Sequence, residues 1–239
     1  MVSQVISKQR VVDHGEVLTA EREVNQMLDL VKQETERIES RFLEPACGNG
    51  NFLTAILERK LRVVAARYSR SQLDYERYAV LAVSSVYGID ILEDNVRDCR
   101  RRLFDIFDQQ YTIRFKKKAR ERCREAARYI LARNIIWGDA LTLKTAGDAT
   151  QPIIFSEWSL TTGSMLKRRD FTFHELLSEK RATKRSLLDE EPLVSDQGEA
   201  VFIPDPVRDF PPTHFLEVAD VNSPWLQPGR ADLFGEFEQ

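Results

Sequence analysis

The run Phe42-Leu43-Glu44-Pro45-Ala46-Cys47-Gly48-Asn49-Gly50-Asn51-Phe52-Leu53 leaves a chain few ways to fold. A short apolar stretch closes on an acid, Glu44. A tight turn with two glycines follows, and then Phe52, Leu53, Ile56, Leu57 and Leu61 recur at helical spacing. The reading is strand, glycine turn, helix. Gly48 and Gly50 tolerate positive φ and let a ligand approach the backbone, while the N–H groups that open the helix suit a carboxylate or phosphate.

Similar strand-to-acid junctions recur downstream. Ser85 to Ile91 reads as a buried strand ending in Asp90, Asn134 to Leu141 as a strand ending in Asp139, and Gln151 to Trp158 as a fourth strand. Helical patterns separate them: Gln72 to Ser84, Glu93 to Gln109 and Lys116 to Arg133. Strands alternating with helices predict a mostly parallel sheet with helices on both faces. The loops after the strands then share one edge, which is expected to carry Glu44, Asp90, Asp139 and Ser156-Glu157-Trp158. Each acid has a plainer reading as a helix cap or a loop ion pair.

Upstream, Thr19 is expected either to cap a helix carrying Val24, Met27, Leu28 and Val31 that ends near Glu39, or to fold back over the glycine turn. Beyond Leu160 the periodicity lapses, apart from one polar helix predicted over Phe171 to Leu188. Most of the prolines fall after Glu190, among them Pro204, Pro206, Pro211 and Pro212, with apolar residues such as Phe202, Phe210, Phe215 and Trp225 between them. Extended segments docking on the domain or on a partner are expected there. The organisation is therefore an arm over 1–12, a domain over 13–160 and a polar, Pro-rich acidic extension over 161–239.

With 239 residues, 42% of them hydrophobic and 31% charged, the chain can bury a sizeable core. No apolar run is long enough to span a bilayer, and the first residues lack the apolar core of a signal peptide, so a cytoplasmic location without membrane attachment is expected. Cys47, Cys99 and Cys123 have no metal-ligand spacing and read as free thiols, with no metal. The net charge of −3 conceals a basic middle that includes Arg114, Lys116, Lys117, Lys118, Arg120, Arg122, Arg124 and Arg128. Such a face permits nucleic acid as a partner, or is a solvated helix surface.

Pro-Ala-Cys-Gly-x-Gly-x-Phe-Leu after a strand resembles the glycine motif of S-adenosylmethionine-dependent adenine-N6 DNA methyltransferases of restriction-modification systems. Glu44 and Asn49 are the two departures from their pattern. Gly15-Glu16-Val17-Leu18-Thr19 is similar to their upstream cofactor motif, Tyr87-Gly88-Ile89-Asp90 to the ribose motif, and Gly138-Asp139-Ala140-Leu141 to the adenine motif. The resemblance covers about 13–158 and implies a Rossmann-like methyltransferase fold binding S-adenosylmethionine, with DNA as substrate in a phage-defence or restriction setting. By it, Thr19, Pro45, Ala46, Cys47, Gly48 and Gly50 hold the methionine end of the cofactor and Glu44 lies near its amino group. Asp90 and Ile91 hold the ribose side, while Asp139 and Ala140 hold the adenine.

The family's Asn/Asp-Pro-Pro-Tyr/Phe tetrapeptide has no counterpart. Ser156-Glu157-Trp158-Ser159 stands in its place, with Glu157 to accept a hydrogen bond and Trp158 to stack on a flipped base. Two readings follow: an adenine-N6 methyltransferase using that loop, or a catalytically silent cofactor-binding or targeting subunit that works with a companion protein. RNA as the methyl acceptor is a third. A nicotinamide oxidoreductase ranks below them, because Leu53 occupies the place of its third glycine.

Overall fold

A computed structural model describes residues 19–177 and 204–220. Two short helices, α1 (Glu21–Asp29) and α2 (Lys32–Thr35), precede β1 (Phe42–Glu44), the glycine turn and α3 (Asn51–Tyr68). Then come α4 (Gln72–Ser84), β2 (Val86–Asp90), α5 (Glu93–Phe115), a 3-10 turn over Lys116–Lys118, α6 (Glu121–Asn134) and β3 (Ile135–Asp139). The remaining elements are β4 (Lys144–Thr145), β5 (Ile154–Leu160), β6 (Met165–Thr172), α7 (Phe173–Leu177), β7 (Arg208–Asp209) and β8 (Thr213–His214). The described part is α/β, with helices on both sides of the strands.

The first sheet has the order β1-β2-β3-β4. Its first three strands are parallel, and β4 runs antiparallel to β3. The turns after β1, β2 and β3 therefore lie on one edge, as the alternation of strands and helices predicts. Buried Leu53, Ile56, Leu57, Leu61 and Val64 form the inner stripe of α3, which packs on α4, α5 and β2. Gly88 makes that packing close: a methyl group in place of its hydrogen would lie 2.9 Å from both Cys47 Sγ and Leu53 Cδ1.

The expected helix from Thr19 to about Glu39 is divided. Ala20, not Thr19, is its N-cap residue and contributes no side-chain bond, so the capping role of Thr19 is corrected. The helix stops at Asp29 because Val24 and Leu28 are buried while Leu30 and Val31 are exposed, leaving no continuous stripe to extend it. Behind the break, Lys60 of α3 is wholly buried. Its ammonium donates to Ile38 O at 3.0 Å, to Ser85 Oγ at 2.7 Å and to Ser40 O, clamping the approach to β1 against the approach to β2.

The fourth run is also corrected. Among the described residues β5 joins no parallel strand. It pairs antiparallel with β6 in a second sheet, to which β7 and β8 add on the other side of β6. This sheet lies over the side of β2 that carries Tyr87. The Tyr87 hydroxyl donates to Ser156 O at 3.0 Å, and its ring meets Phe155 edge-on at 5.6 Å.

β6 itself replaces the expected lapse in regularity and the first residues of the predicted helix over Phe171 to Leu188. Residues 178–188 of that helix lie outside the described residues, and α7 covers only Phe173–Leu177. Arg168 and Asp170 are each about 1% exposed on the inward side of β6. The Arg168 guanidinium reaches Asp170 at 2.6 and 2.8 Å, Ser156 Oγ at 3.1 Å and the Tyr129 hydroxyl at 3.1 Å. A buried charge pair of this kind is tolerated because its hydrogen bonds are made inside the protein, and removing one partner costs about 3–5 kcal/mol. The segment 204–220 docks on this strand as extended chain, with Phe210 N–H bonded to Arg168 O and the Phe210 ring 4.3 Å from the guanidinium.

Candidate functional site

The turn between β1 and α3 is pinned from several sides. Cys47 N–H donates to Ile89 O at 2.9 Å, Gly50 N–H to Cys47 O at 2.8 Å, and Gly48 N–H to Asp90 Oδ2 at 2.8 Å. Gly48 has φ 52° and Gly50 φ 90°, the left-handed region in which a side chain is strained. Gly50 also faces Cys99, whose Sγ would lie 2.6 Å from an added Cβ. Both glycines are thus required, one by its turn and the other by its turn and its neighbour.

Asp90 is the hub of the edge. Besides Gly48, it accepts Leu92 N–H at 2.9 Å and Asn95 Nδ2 at 3.2 Å on Oδ1. Glu44 sits half-buried at the end of β1, and its Oε1 accepts Ala46 N–H at 3.4 Å. Burial raises the Glu44 carboxyl above the ordinary glutamate range, more than the Ala46 bond offsets. Asp139 is held below its ordinary range, chiefly by Leu141 N–H at 2.8 Å. Ile91 is 53% and Leu141 94% exposed, so two apolar side chains flank these acids. Pro45 and Ala46 are exposed, while Ala140 is half-buried against the core.

Thr19 comes to this edge through its backbone. Asn51, the first residue of α3, donates from Nδ2 to Thr19 O at 2.9 Å, and its Oδ1 accepts Arg102 Nη1 at 2.8 Å. The same guanidinium nitrogen binds Asn49 O at 2.7 Å. Asn51 and Arg102 were missed in the sequence. The first is hidden as a helix-opening residue, and the second lies 51 residues further on in a helix with no local signal. Gly88 had a signal, a lone glycine in a strand, which marks close approach.

Glu157 and Trp158 do not join the edge. Trp158 is 3% exposed, and its Nε1 donates to Asn134 Oδ1 at 2.9 Å, immediately before β3 begins. Glu157 pairs with Arg41, immediately before β1, and with Arg169 at 2.7 Å. The glycine turn and Asp139 follow the opposite ends of those strands. At roughly 3.3 Å per residue, Asn134 and Asp139, at the two ends of β3, are separated by roughly 16 Å. The expected position of Ser156, Glu157 and Trp158 on the shared edge is corrected accordingly. Together with Leu43, Tyr87 and Phe155, Arg41, Glu157 and Arg169 line a separate cavity of about 370 Å³.

Cys47, Cys99 and Cys123 are free and buried. The Cys47 thiol is pushed up by its hydrogen bond with Cys99 and then by burial, which favours the protonated form. Among the described residues no cluster of His, Cys, Asp or Glu is arranged to hold a metal ion, and no helix is long and apolar enough to cross a membrane.

Whether the edge fits a nucleoside-type cofactor can be judged from its donors and acceptors. The N-cap of α3 is Gly50, which offers no side chain, and the first turn holds no acid, so the opening N–H groups remain available to an anion. Asn49 Oδ1 in the turn is a buried acceptor with no partner among the described residues. With carboxylates at Glu44, Asp90 and Asp139 and apolar flanks at Ile91 and Leu141, the set suits a ligand carrying an amino acid at one end and a base at the other. Comparison with models of known protein families, with curated proteins and with solved structures finds no match.

Proposed function

We propose that the chain holds S-adenosylmethionine on this edge for methylation of adenine N6 in DNA, in a restriction-modification or phage-defence system. The observation that carries the reading is the Gly48–Asp90 hydrogen bond. It draws the glycine turn and the second strand end together, beside Glu44 and in the same row as Asp139. The α3 N–H groups and the turn would hold the cofactor's carboxylate, Glu44 its ammonium, Asp90 a ribose hydroxyl and Asp139 the adenine amino group. With Gly48 N–H, Leu92 N–H and Asn95 Nδ2 already bound, Asp90 keeps about one of a carboxylate's four lone-pair sites for this. The cofactor itself supplies an activated methyl group; the chain binds and orients it and shields one side.

A specific observation favours the companion-dependent form of this reading. Trp158 is committed to the core and Glu157 to two arginines, so the described residues bring no Asn/Asp-Pro-Pro-Tyr/Phe equivalent to the edge. A second protein then supplies the groups that grip the target base. Calorimetry with S-adenosylmethionine and its demethylated product is the direct test. Binding of both, and none of a nicotinamide dinucleotide, is expected, and the reverse pattern overturns the proposal. Transfer of labelled methyl to duplex DNA by the isolated chain would remove the need for a companion, while transfer only to structured RNA would replace the substrate.

A further inference from the structure

One strongly charged face stands apart from the candidate site. It forms where the C-terminus of α5, the 3-10 turn and the first turn of α6 meet the first turns of α4. Gln72 Nε2 donates to Lys118 O at 2.8 Å, and the Arg114 guanidinium lies 5.3 Å from the Tyr75 ring. Arg120 reaches buried Glu76 at 3.5 Å, and its N–H donates to the Tyr111 hydroxyl at 2.8 Å. These contacts bring Arg114, Lys118 and Arg120 to the start of α4; exposed Lys116 and Lys117 belong to the same turn as Lys118, and exposed Arg70 and Arg122 lie two residues from Gln72 and Arg120 in the chain.

The acids nearby do not neutralise it. Asp74 pairs with Arg77, Glu121 with Arg124 and Arg128, and Glu76 is wholly buried with Tyr111, Gln72 and Arg120 around it. Asp108 of α5 is held by Arg124 at 2.5 Å, which leaves exposed Glu125 as the unpaired acid among the described ones closest to this surface. Lys116, Lys117, Lys118 and Arg122 form no ion pair with any described residue. Large exposed apolar side chains here are only Ile113 and Leu73, among the described residues. Protein interfaces are poor in lysine and rich in aromatic side chains, and membrane-binding faces need a broad apolar stripe, so this composition favours a phosphate backbone.

We infer that this surface is a sequence-independent binding site for the phosphates of duplex DNA, remote from the edge that holds the candidate site. It rests on the proposed function only in taking DNA as the partner. The separation has a length: α5 starts next to Asp90 and ends at this surface, and its 23 residues span roughly 34 Å at 1.5 Å each. That is the length of roughly ten base pairs. The surface therefore holds duplex well away from the target base, fixing position and orientation, and leaves base reading to other groups.

The test uses the full chain and fluorescence anisotropy with a labelled duplex of about 20 base pairs of arbitrary sequence, over a series of salt concentrations. K117Q/K118Q/R122Q removes three exposed cations; Lys116 is left in place because its φ is 49°. The expected result is roughly tenfold weaker binding and a plot of log K against log salt shallower by up to about 2.7. K32Q/R37Q/R62Q removes the same charge from other exposed positions and is expected to change affinity less than about twofold. Unchanged DNA binding in the first variant, equal weakening in both, or tighter binding of an RNA hairpin than of duplex would overturn the inference. Absence of DNA binding by the wild type, with cofactor binding intact, would overturn it and leave the cofactor reading standing. Binding of DNA without cofactor would do the opposite.

Discussion

Asp90 Oδ2 accepts the backbone hydrogen of Gly48 at 2.8 Å, joining residues 42 positions apart in the chain. The bond ties the turn after β1 to the end of β2, so the backbone that approaches a ligand and an acid that would grip it move as one unit. Asp90→Ala strands this donor together with Leu92 N–H and Asn95 Nδ2. The variant is expected to lose about 2 kcal/mol of stability in urea melts and at least about tenfold in affinity for the demethylated cofactor by calorimetry. Wild-type affinity in Asp90→Ala would sink the assignment.

Glu44 gives a pH dependence whose sign is set by burial. Its folded carboxyl is raised, so in the window between the ordinary and the raised value the folded protein binds more protons than the unfolded chain. Stability associated with Glu44 is present below that window and lost as pH rises through it. Glu44→Gln should therefore be the more stable protein in urea melts at neutral pH, yet bind S-adenosylmethionine more weakly, since the amide does not neutralise an ammonium. Equality of Glu44→Gln with the wild type in both measurements would refute this.

Trp158 separates a core role from a stacking role. Trp158→Ala should cost about 3–5 kcal/mol as a buried large-to-small change. Trp158→Phe keeps most of the ring but leaves Asn134 Oδ1 short of its donor, for about 1–3 kcal/mol. Normal stability in both, with DNA methylation lost, would instead place the ring on a flipped base.

Lys60 carries a charge into the core, and burial brings its ammonium down to about 7. Between that value and the ordinary lysine value near 10.4 the unfolded chain binds the extra proton. Stability therefore rises with pH across the window and falls again as pH drops toward about 7. Melts of wild type and Lys60→Met over this range should show the wild type gaining relative to the variant at higher pH. Parallel curves would mean the ammonium remains charged throughout, held by Ile38 O, Ser40 O and Ser85 Oγ.

The three cysteines provide a check on packing. Cys47, Cys99 and Cys123 are buried, so iodoacetamide should alkylate none of them in the native protein and all of them in denaturant, as read by mass spectrometry. Rapid native labelling of Cys47 would show the glycine turn to be open.

How far the sequence could be read depended on how local each signal was. Phe42 to Leu53 was legible because a strand, two glycines and a helical stripe are all specified within twelve neighbouring residues. Asp90 and Asp139 were legible as strand-terminal acids. β6 was not, because its inward positions include Arg168 and Asp170, and a charge pair that satisfies itself in the core breaks the apolar alternation by which strands are recognised. Arg102 was not legible either, since nothing near it in the chain announces a partner at Asn49 and Asn51.

Local chemistry alone thus determined the glycine turn, the order of the first three strands and helices, and the acids at the strand ends. Backbone dihedral needs and the period of the apolar residues are properties of short stretches. Only the tertiary structure decided where the fourth run went. Ser156 to Trp158 has the look of a loop-edge motif in sequence. Its place is set instead by long-range partners: Tyr87 for the Ser156 carbonyl, Arg41 for Glu157 and Asn134 for the Trp158 indole. A buried indole and a doubly paired carboxylate gain more from those partners than a solvent-facing edge offers, so packing took the run away from the glycine turn.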